Sequence, residues 1–439
     1  MNLLSTDREL TRNSFYAASV RREQAFPPLQ DEVSCDVAVV GGGLAGLSAA
    51  IELAERGFKV VLLEAREVGW GASGRNGGQA IHGLACEQST IEAQLGLEAS
   101  RAVWGMTLEA LDIIKQRCQQ HQIDCDWQDG YLGLAINARK AAALQDWAEQ
   151  MASRYDYPLR WLGPADLPDY IKSPRFHSGV YDPRSGHLHP LKYSLGLARA
   201  AAGLGVQMFE QTAVTRIERG STANTVHTAQ GKVKARQVLL AGNVYLQDLA
   251  PALAERIMPV GTYIVCTAPL APGVMQQLIP SRAAVCDTNF VLDYFRPTAD
   301  DRLLYGGRVS YSTVTPPNLA QSMRARMGKS FPQLEDVKLE YSWGGFVDIT
   351  MNRAPDFGRL DQRSGKSEDA GIYYLQGFSG HGLALTGLAG RLVAEAIAGD
   401  AGRFDTFARL THHRFPGGRW LRTPALVLGM AYYRLRDML

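Results

Sequence analysis

Residues 37–64 read Val-Ala-Val-Val-Gly-Gly-Gly-Leu-Ala-Gly-Leu-Ser-Ala-Ala-Ile-Glu-Leu-Ala-Glu-Arg-Gly-Phe-Lys-Val-Val-Leu-Leu-Glu, and this stretch decides the fold. An apolar strand runs into Gly41-x-Gly43-x-x-Gly46, a helix follows, and a second apolar strand ends at Glu64. In such a unit the first glycine makes a tight turn, the second admits a pyrophosphate, and the third lets helix and strand pack closely.

The start of this helix and the acid after the second strand have separate expected tasks. Leu44 and Ala45 begin the helix, whose N-terminus offers unpaired N–H groups and a positive dipole to phosphates. Glu64 can accept hydrogen bonds from both hydroxyls of a ribose. A glycine motif alone is weak evidence, but here the strand, helix and acid all stand where a dinucleotide-binding unit requires them. The sequence therefore predicts a bound dinucleotide, and a purely structural glycine-rich turn is the alternative.

Length and composition bound the class of protein. A chain of 439 residues is too long for one compact core and suggests about two or three domains. Its 46 basic and 44 acidic residues are nearly balanced, which gives no reason to expect a nucleic-acid partner. Six scattered cysteines lack metal-ligand spacing and are typical of a reducing compartment. Without an apolar run suited to a signal peptide or membrane span, we expect a cytoplasmic protein.

A glycine-rich loop identifies the dinucleotide. After Ala65 and Arg66 the chain continues Gly69-Trp-Gly-Ala-Ser-Gly-Arg-Asn-Gly-Gly-Gln79, where a simple NAD-binding fold would have another crossover helix. The loop resembles the one that covers the ribityl and flavin portions of FAD in the D-amino-acid-oxidase-like flavoproteins, which include glycine oxidase and sarcosine oxidase. A surface loop rich in small residues is the alternative.

Two later segments resemble further FAD contacts of that family. Val238-Leu-Leu-Ala-Gly-Asn243 resembles the strand that returns the chain to the nucleotide domain. Gly377-Phe-Ser-Gly-His-Gly382 opens a helix predicted over Leu383–Ala398, and the resemblance implies that the flavin pyrimidine edge lies over it. A helix N-terminus there stabilises the negative charge that flavin reduction builds. His381 has two open roles, direct catalysis or fixing the loop.

The resemblance therefore implies FAD, held without a covalent bond. The cysteine that sarcosine oxidase uses for attachment would fall in residues 343–360, which contain none, and the histidine of dimethylglycine dehydrogenase falls at about Asn76. The predicted cofactor-binding residues are Gly41, Gly43, Leu44, Ala45, Gly46, Glu64, Ala65, Arg66, Gly71, Ala72, Ser73, Arg75, Asn76, Gly77, Gly78, Gln79, Val214, Ala241, Gly242, Gly380, His381, Gly382 and Leu383.

Within the family, the chain resembles the gamma-glutamylputrescine oxidase group of bacterial amine oxidases over nearly its whole length. The matching segments are Ser14–Ser19, Gly71–Gln79, Gln122–Asp126, Ser185–Pro190, Asn289–Tyr294, Arg302–Gly307, Phe415–Arg419 and Ala431–Tyr433. Ala80-Ile-His-Gly-Leu-Ala-Cys86 departs from the polar stretch of that group at positions expected to border the pocket. This departure leaves the substrate open.

The predicted reaction is dehydrogenation of the C–N bond of an amine, by hydride transfer to flavin N5 and hydrolysis of the imine. Amino-acid-oxidising relatives clamp the substrate carboxylate with an arginine and a lysine, at positions that hold Gln79 and Ala384 here. A buried carboxylate without a cation is costly, so a free amino acid is disfavoured. Two rivals stay open: a dehydrogenase that passes electrons to a quinone or carrier protein, and a non-catalytic regulatory flavoprotein.

Several side chains have both a functional and a structural interpretation. The predicted catalytic residues are His381, Gln79, Tyr294 and Trp343. An aromatic wall of Trp343, Tyr294, Phe295 and Tyr263 would suit an amine, although the same rings would also fit an ordinary sheet core. His187 and His189 could ligate a metal, but we favour structural hydrogen bonds and predict no metal site.

Two further predictions concern partners. The electron acceptor is oxygen or another acceptor. The absence of lysine from residues 235–328 favours slow reaction with oxygen and a quinone or carrier as the better acceptor, with Arg256, Arg296 and Arg308 as the alternative positive charges. The basic and apolar stretch 420–439 is predicted as a packed helix, with a membrane or partner contact as the alternative.

The predicted fold class is α/β, with a Rossmann-like FAD-binding domain and an inserted α+β substrate domain built on an antiparallel sheet. The FAD-binding domain comprises residues 1–85, 190–255 and 345–439, and the substrate domain residues 86–189 and 256–344. Residues 1–32 are predicted as an extended arm and residues 88–170 as mainly helical. Strands are predicted at Gly130–Ile136, Val206–Phe209, Ala213–Ile217, Val238–Asn243, Thr262–Thr267, Phe290–Arg296, Leu303–Gly307, Leu339–Val347 and Gly371–Gln376.

Overall fold

The strand that precedes the glycine motif lies in the middle of a largely parallel sheet. The computed structural model describes residue 3 and residues 13–220, 222–289, 292–310, 318–367 and 371–416. The strands of this first sheet are β1 (Glu32–Val40), β2 (Val60–Leu63), β7 (Gln207–Phe209), β8 (Arg216–Glu218), β9 (Asn224–His227), β10 (Lys232–Leu240), β16 (Asp356–Arg359) and β17 (Ile372–Gln376). Their order is β16-β17-β10-β1-β2-β7, and β9 pairs with β10 on one side and with β8 on the other.

Parallel pairing brings the carboxyl ends of the central strands to one edge. Strand β1 pairs in parallel with β2 and with β10, and β10 pairs in parallel with β17. Both faces of these strands are covered, which is why they are continuous apolar runs rather than alternating ones. The glycine motif, Glu64, Ala241 and the loop after β17 therefore meet at the same edge.

The helix of the glycine motif is buried between the sheet and a second helix. This helix spans Leu44–Glu55, and every residue from Leu44 to Leu53 is buried. Gly390 allows the close approach of the helix Gly382–Ile397, because an added Cβ there would lie 2.5 Å from the backbone nitrogen of Ala49. A side chain at position 390 would push the two helices apart.

The second sheet is mainly antiparallel. Its strands are β3 (Gln79–Ala80), β4 (Gln128–Ala135), β5 (Arg160–Leu162), β6 (Ser178–His187), β11 (Met258–Thr267), β12 (Ala284–Asp287), β13 (Tyr294–Pro297), β14 (Leu303–Ser310) and β15 (Leu339–Ile349). Their order is β15-β11-β14-β13-β12-β4-β6-β3, with β5 beside β6. Among the described residues of this sheet, only β12 and β4 pair in parallel. The two sheets confirm the predicted fold class, whereas the exact domain boundaries stay a prediction.

The α-helices cover the faces of the two sheets. They are α1 (Phe15–Ser19), α2 (Leu44–Glu55), α3 (Gln88–Leu95), α4 (Leu97–Gln120), α5 (Ala138–Tyr155), α6 (Pro190–Gly203), α7 (Pro251–Ala254), α8 (Val274–Leu278), α9 (Leu319–Ser330), α10 (Leu360–Ser364), α11 (Gly382–Ile397) and α12 (Gly402–Ala408). No single helix of the described residues is long and apolar enough to cross a membrane, although α11 and α12, bent by 117°, pass that test as a pair.

Some predicted elements were wrong in extent. Residues 1–32 are not wholly extended, because Phe15–Ser19 is helical and buries Phe15 and Tyr16. The strand predicted at Ala213–Ile217 begins only at Arg216, and the strand predicted to reach Asn243 ends at Leu240 in a turn. The strand predicted at Phe290–Arg296 is Tyr294–Pro297 in the described part, and Phe290 itself lies outside it.

Strand β6 was not predicted at all. Its sequence, Ser-Gly-Val-Tyr-Asp-Pro-Arg-Ser-Gly-His, has two glycines and a proline and lacks apolar alternation. The stretch 420–439 and the segment Ala431–Tyr433 lie outside the described residues, as do the last residues of Phe415–Arg419.

Candidate functional site

One large cavity of about 820 Å³ extends from the carboxyl edge of the first sheet to the second sheet. Its lining joins the glycine motif, the loop 71–79, the end of β10, strand β15 and the start of α11. The volume is within the range of about 300–1,000 Å³ that small-molecule and cofactor sites occupy. The predicted cofactor segments, distant in sequence, therefore share one site.

The three glycines of the motif stand where a side chain would collide with neighbouring atoms. An added Cβ at Gly41, whose φ is +117°, would lie 2.6 Å from the carbonyl oxygen of Ala241. At Gly43 it would lie 2.7 Å from Ser73 Oγ, and at Gly46 it would lie 2.0 Å from the carbonyl oxygen of Gly41. Side chains at these three positions would therefore disrupt the packing of the turn. Gly41 and Gly43 also line the cavity and leave bare backbone there, as a pyrophosphate requires.

Glu64 lies beside the glycine motif, directly after the end of β2. Its Oε2 accepts the N–H of Gly42 at 2.7 Å and its Oε1 accepts the N–H of Arg66 at 2.8 Å. Burial raises the pKa of Glu64, while these two N–H donors lower it. A carboxylate has about four acceptor sites, so two remain for further donors on the cavity side. This fits the hydroxyl pair of a ribose.

The loop 71–79 is fixed by its own side chains. Ser73 Oγ accepts the N–H of Leu44 at 2.9 Å and so joins the loop to the N-terminus of α2. The side-chain amide of Asn76 donates from Nδ2 to the carbonyl oxygens of Ala72 and Ser73, and its Oδ1 accepts the N–H of Gly78. With Asn76 engaged in this way, the loop keeps its backbone along the cavity wall.

Arg75 contributes a buried positive charge beneath the cavity. Its guanidinium donates to the carbonyl oxygens of Gly71 and Gly344 and to the hydroxyl of Tyr245, and it lies 4.8 Å from the ring centroid of Trp70. Each of its three nitrogens therefore has a protein partner, so Arg75 orders the loop.

The turn before α11 is held by a buried carboxylate of β15. Asp348 Oδ2 accepts the N–H of Gly377 and, at 3.2 Å, the N–H of Phe378. Burial raises the pKa of Asp348 to about 6 against the opposing effect of these N–H donors. The carbonyl of Asp348 also accepts the N–H of Ser379 at 2.9 Å. These hydrogen bonds to Asp348 fix the position of the turn at the cavity wall.

His381 stands at the N-cap position of α11 but does not cap it with its side chain. Its Nε2 donates to the carbonyl oxygen of His82 at 2.9 Å. Burial lowers the pKa of His381, which favours the neutral ring. This geometry agrees with the interpretation that His381 fixes the loop, here by tying it to the chain after β3.

In residues 80–86, the segment that departs from the amine-oxidase group, Ile81 and His82 face opposite directions. Ile81 lines the cavity, whereas the His82 ring turns away into a cage of aromatic rings. His82 Nδ1 lies 2.7 Å from Asp182 Oδ2 and 3.2 Å from Ser185 Oγ. The His82 ring therefore anchors the segment, and the apolar Ile81 faces the cavity.

Gln79 lines the cavity, but its amide is already occupied. Its Nε2 donates to the carbonyl oxygens of Val285 and Phe295, at 3.1 and 3.2 Å, and its Oε1 accepts from the thiol of Cys286 at 3.0 Å. These bonds connect β3 to β12 and β13. We therefore interpret Gln79 as a wall residue rather than a catalytic one.

Of the predicted aromatic wall, only Tyr294 lines the cavity. An added Cβ at Gly306 would lie 2.1 Å from its Cζ, and one at Gly77 would lie 2.6 Å from its Cε2, so two glycines make room for this ring. Tyr263 and Phe295 are buried in the core of the second sheet. Neighbouring residues of a strand face opposite sides, which separates Phe295 from Tyr294.

The structure does not place Trp343, predicted as a catalytic residue, in the cavity lining. The Trp343 ring packs edge-on against Tyr16, and its Nε1 donates to the carbonyl oxygen of Arg75 at 2.9 Å. It is 2% exposed and lies behind the cavity wall. Its indole supports the loop 71–79 from the other side of β15.

The remaining predicted residues divide into lining and supporting positions. Gly46, Arg66 and Gly78 do not line the cavity: Gly46 packs against the turn at Gly41, Arg66 offers its backbone N–H to Glu64, and Gly78 faces Arg296. The other predicted cofactor-binding residues all line it, namely Gly41, Gly43, Leu44, Ala45, Glu64, Ala65, Gly71, Ala72, Ser73, Arg75, Asn76, Gly77, Gln79, Val214, Ala241, Gly242, Gly380, His381, Gly382 and Leu383.

The sequence reasoning missed the lining from β15 and from the turn after β10. Asp348 and Phe346 on β15, and Asn243 and Tyr245 after β10, all line the cavity. Asn243 has φ +52°, a left-handed conformation that an asparagine after an Ala-Gly pair could have suggested.

His187 and His189 have structural partners. His187 Nε2 donates to the carbonyl oxygen of Arg282 at 2.9 Å, and His189 Nδ1 accepts the N–H of Lys192 at the start of α6. Burial lowers the pKa of both histidines to about 3. In the part of the chain that the structure describes, no three His, Cys, Asp or Glu residues are grouped to hold a metal ion.

Comparison with protein families identifies the group to which this site belongs. Residues 36–396 match the family model described as DAO, FAD dependent oxidoreductase. The chain belongs to this family. FAD is therefore its cofactor, and the chain is an oxidoreductase.

Individual relatives support the assignment over the full length. The chain is 44% identical over 428 residues to gamma-glutamylputrescine oxidoreductase of Escherichia coli K12, covering 97% of this chain and 98% of the relative. It is 40% identical over 429 residues to the probable oxidoreductase OrdL of Haemophilus influenzae, covering 97% of each. Crystalline glycine oxidase of Geobacillus kaustophilus has a TM-score of 0.69 at 23% identity, over 83% of this chain and 95% of that one, and shows the shared fold.

Proposed function

We propose that this FAD-dependent amine oxidoreductase acts on the free amino end of an acylated diamine, the kind of substrate named for its 44% identical relative. Bound FAD supplies the two-electron acceptor for the hydrogen removed from the carbon next to the nitrogen. The resulting imine hydrolyses to an aldehyde and ammonia. What the chain itself must supply is orientation, exclusion of water and a fixed electrostatic environment.

The observation that carries the proposal is the missing carboxylate clamp. Gln79 is neutral and its amide is engaged by the second sheet, and Ala384 is buried with 3% exposure. A free amino acid bound in the manner of the amino-acid-oxidising relatives would leave its carboxylate without a cation at both positions, which costs several kcal/mol, of order 3–5. An acylated diamine has no carboxylate next to the reacting carbon and avoids this cost.

The cavity also offers apolar surface for a methylene chain. Ile81, Leu292, Met258 and Val260 all line it. Each buried methylene group contributes about 0.8 kcal/mol, so a diamine chain gains affinity that glycine or sarcosine lacks.

The charge of the lining favours the neutral form of the amine. Among the described lining residues the carboxylates are Glu64 and Asp348, and both accept backbone N–H groups. Without a further anion to hold an ammonium, the amine binds after losing its proton, which is also the form whose nitrogen lone pair assists hydride loss.

A substrate panel tests the proposal. We expect kcat/KM for N-gamma-glutamylputrescine and N-acetylputrescine to exceed that for glycine, sarcosine and D-alanine by about a hundredfold or more, or at least about 2.7 kcal/mol. For the amines, kcat/KM should rise with pH between about 7 and 9, because alkyl ammonium groups have pKa values near 10. Faster turnover of the simple amino acids than of any diamine would contradict the proposal.

We propose further that oxygen is a poor electron acceptor. Residues 235–328 contain no lysine, and the described cavity lining has Arg75 and Arg353 as its strong cations, with Arg75 bonded beneath the loop 71–79. A positive charge facing the reaction with oxygen lowers its barrier. Photoreduced enzyme mixed with aerated buffer should regain its flavin absorbance more slowly than catalytic turnover with a quinone. Reoxidation by oxygen as fast as turnover would make the protein an oxidase.

The cellular location is also a proposal. The six cysteines are all unpaired in the structure, as expected for a reducing compartment, and we propose a cytoplasmic enzyme.

A further inference from the structure

Two cysteines outside the cavity stand close to bonding distance. Cys118 lies near the end of α4, Cys125 lies seven residues later before β4, and their sulfur atoms are 3.5 Å apart. A disulfide bond measures about 2.0 Å, so the sulfurs need to approach by only about 1.5 Å. Rotation of the side chains about χ1 provides movement of this size.

The backbone between the two cysteines is held at both ends. The carbonyl of Cys118 accepts the N–H of Ile123 at 2.9 Å, and the carbonyl of Cys125 accepts the N–H of His189 at 2.7 Å. Ile123 packs against α6 at Gly196, where an added Cβ would lie 2.3 Å from the Ile123 Cγ2. The backbone that carries the two cysteines is therefore held in place by contacts with the rest of the fold.

The two thiols differ in access and in acidity. Cys118 is half-buried, whereas Cys125 is 2% exposed. The hydrogen bond from Cys125 lowers the pKa of Cys118, against burial and the charge of Asp124, and the same contact raises the pKa of Cys125. The thiolate is the nucleophile in thiol oxidation. Cys118 is thus suited to attack an oxidant, and Cys125 to resolve the product.

The other four cysteines lack this arrangement. Burial raises the pKa of Cys35, Cys86, Cys266 and Cys286 to about 12. Each of them is therefore a weaker nucleophile at neutral pH than Cys118.

We propose that Cys118 and Cys125 are a peroxide-reactive pair that forms a reversible disulfide and protects Cys118 from irreversible oxidation. The Cys118 thiolate attacks one oxygen of hydrogen peroxide, which breaks the O–O bond, gives a sulfenic acid and releases hydroxide. The Cys125 sulfur then attacks the Cys118 sulfur and displaces the hydroxyl group, which leaves as water with the Cys125 proton. In sum, two thiols and one peroxide give one disulfide and two waters.

The site matters because it adjoins the nucleotide helix. Arg117 precedes Cys118, and its guanidinium donates to Ser48 Oγ at 2.8 Å and to Glu52 Oε1 at 3.0 Å on α2. Oxidation of Cys118 to a charged sulfinate would place an anion one residue along the chain from this buried ion pair. Capture as a disulfide avoids that charge and can be reversed by thiols.

The test treats the FAD-loaded enzyme with hydrogen peroxide, digests it without reduction, and measures the peptides by mass spectrometry. We expect the Cys118 and Cys125 peptides to be joined, with the loss of two hydrogen atoms, and dithiothreitol to restore both thiols. Cys125→Ser should instead yield Cys118 as a sulfenic acid that dimedone traps, followed by sulfinic acid. Cys86→Ser is the matched control and should form the disulfide like the unchanged enzyme.

Two results would overturn the proposal. One is a treated enzyme in which Cys118 and Cys125 both stay free while another cysteine is oxidised. The other is sulfinic acid at Cys118 to the same extent in the unchanged enzyme and in Cys125→Ser, because Cys125 would then protect nothing.

Discussion

Replacing Glu64 with alanine should weaken FAD binding without unfolding the protein. Glu64 holds the N–H groups of Gly42 and Arg66 with one oxygen each, at 2.7 and 2.8 Å. Its side chain is half-buried at the cavity wall, so water can replace the carboxylate on those two N–H groups in Glu64→Ala. The hydroxyls of a bound ribose lose their charged acceptor in the same variant.

The size of the effect follows from the free acceptor sites. Two hydrogen bonds to a charged group contribute about 1.5–3 kcal/mol each, which gives about 3–6 kcal/mol in total. The dissociation constant of FAD should therefore rise by about 10²- to 10⁴-fold. Glu64→Gln keeps one acceptor oxygen but loses the charge, so its dissociation constant should lie between those of Glu64→Ala and the unchanged protein.

The assay is titration of flavin-free protein with FAD, followed by quenching of flavin fluorescence, with circular dichroism as the check on folding. Glu67→Ala is the matched control, because Glu67 is exposed and pairs with Arg22 at the surface, where an ion pair contributes little. If folded Glu64→Ala binds FAD within about threefold of the unchanged protein, Glu64 does not hold the ribose.

Three further predictions address other parts of the cavity. Gly306→Ala should lower kcat/KM for the amine about tenfold or more and leave FAD affinity unchanged, because an added Cβ lies 2.1 Å from Tyr294 Cζ; Gly105→Ala, which meets open space, should change neither. Burial raises the pKa of Asp348 from 3.8 to about 6, so between about pH 4 and pH 6 the folded state keeps a proton there that the unfolded state has lost. The free energy of unfolding, measured with denaturant, should therefore fall by about 3 kcal/mol more across that window in the unchanged protein than in Asp348→Asn. Acid precipitation should leave the yellow cofactor in the supernatant, and colour retained by the polypeptide would show a covalent link.

The nucleotide-binding end of the site was predictable because its signals are local. The motif of Gly41, Gly43 and Gly46 requires a strand before it and a helix after it, and both periodicities can be counted along a few residues. Glu64 follows at the end of the next strand, and parallel pairing then brings it beside Gly42. In each case the residue and its partner are joined by one supersecondary unit.

The substrate end depended on contacts that a single sequence does not contain. Tyr294 and Phe295 are neighbours, and which of them faces the cavity is set by the register of β13 against β12 and β14. Trp343 and Phe346 are both aromatic residues of β15, yet only Phe346 lines the cavity. The role of Asp348 depends on Gly377 and Phe378, which lie about thirty residues away in the loop after β17.

The most direct test of the proposed chemistry is a single anaerobic mixing experiment. FAD-loaded enzyme is mixed in a stopped-flow instrument with N-gamma-glutamylputrescine and, separately, with sarcosine at the same concentration, and flavin absorbance is followed. We predict that the acylated diamine bleaches the flavin in one rapid phase and yields the aldehyde, while sarcosine bleaches it about a hundredfold more slowly, a difference of about 2.7 kcal/mol. Rapid bleaching by sarcosine with the acylated diamine inert would contradict the assignment of this cavity to an amine without a carboxylate.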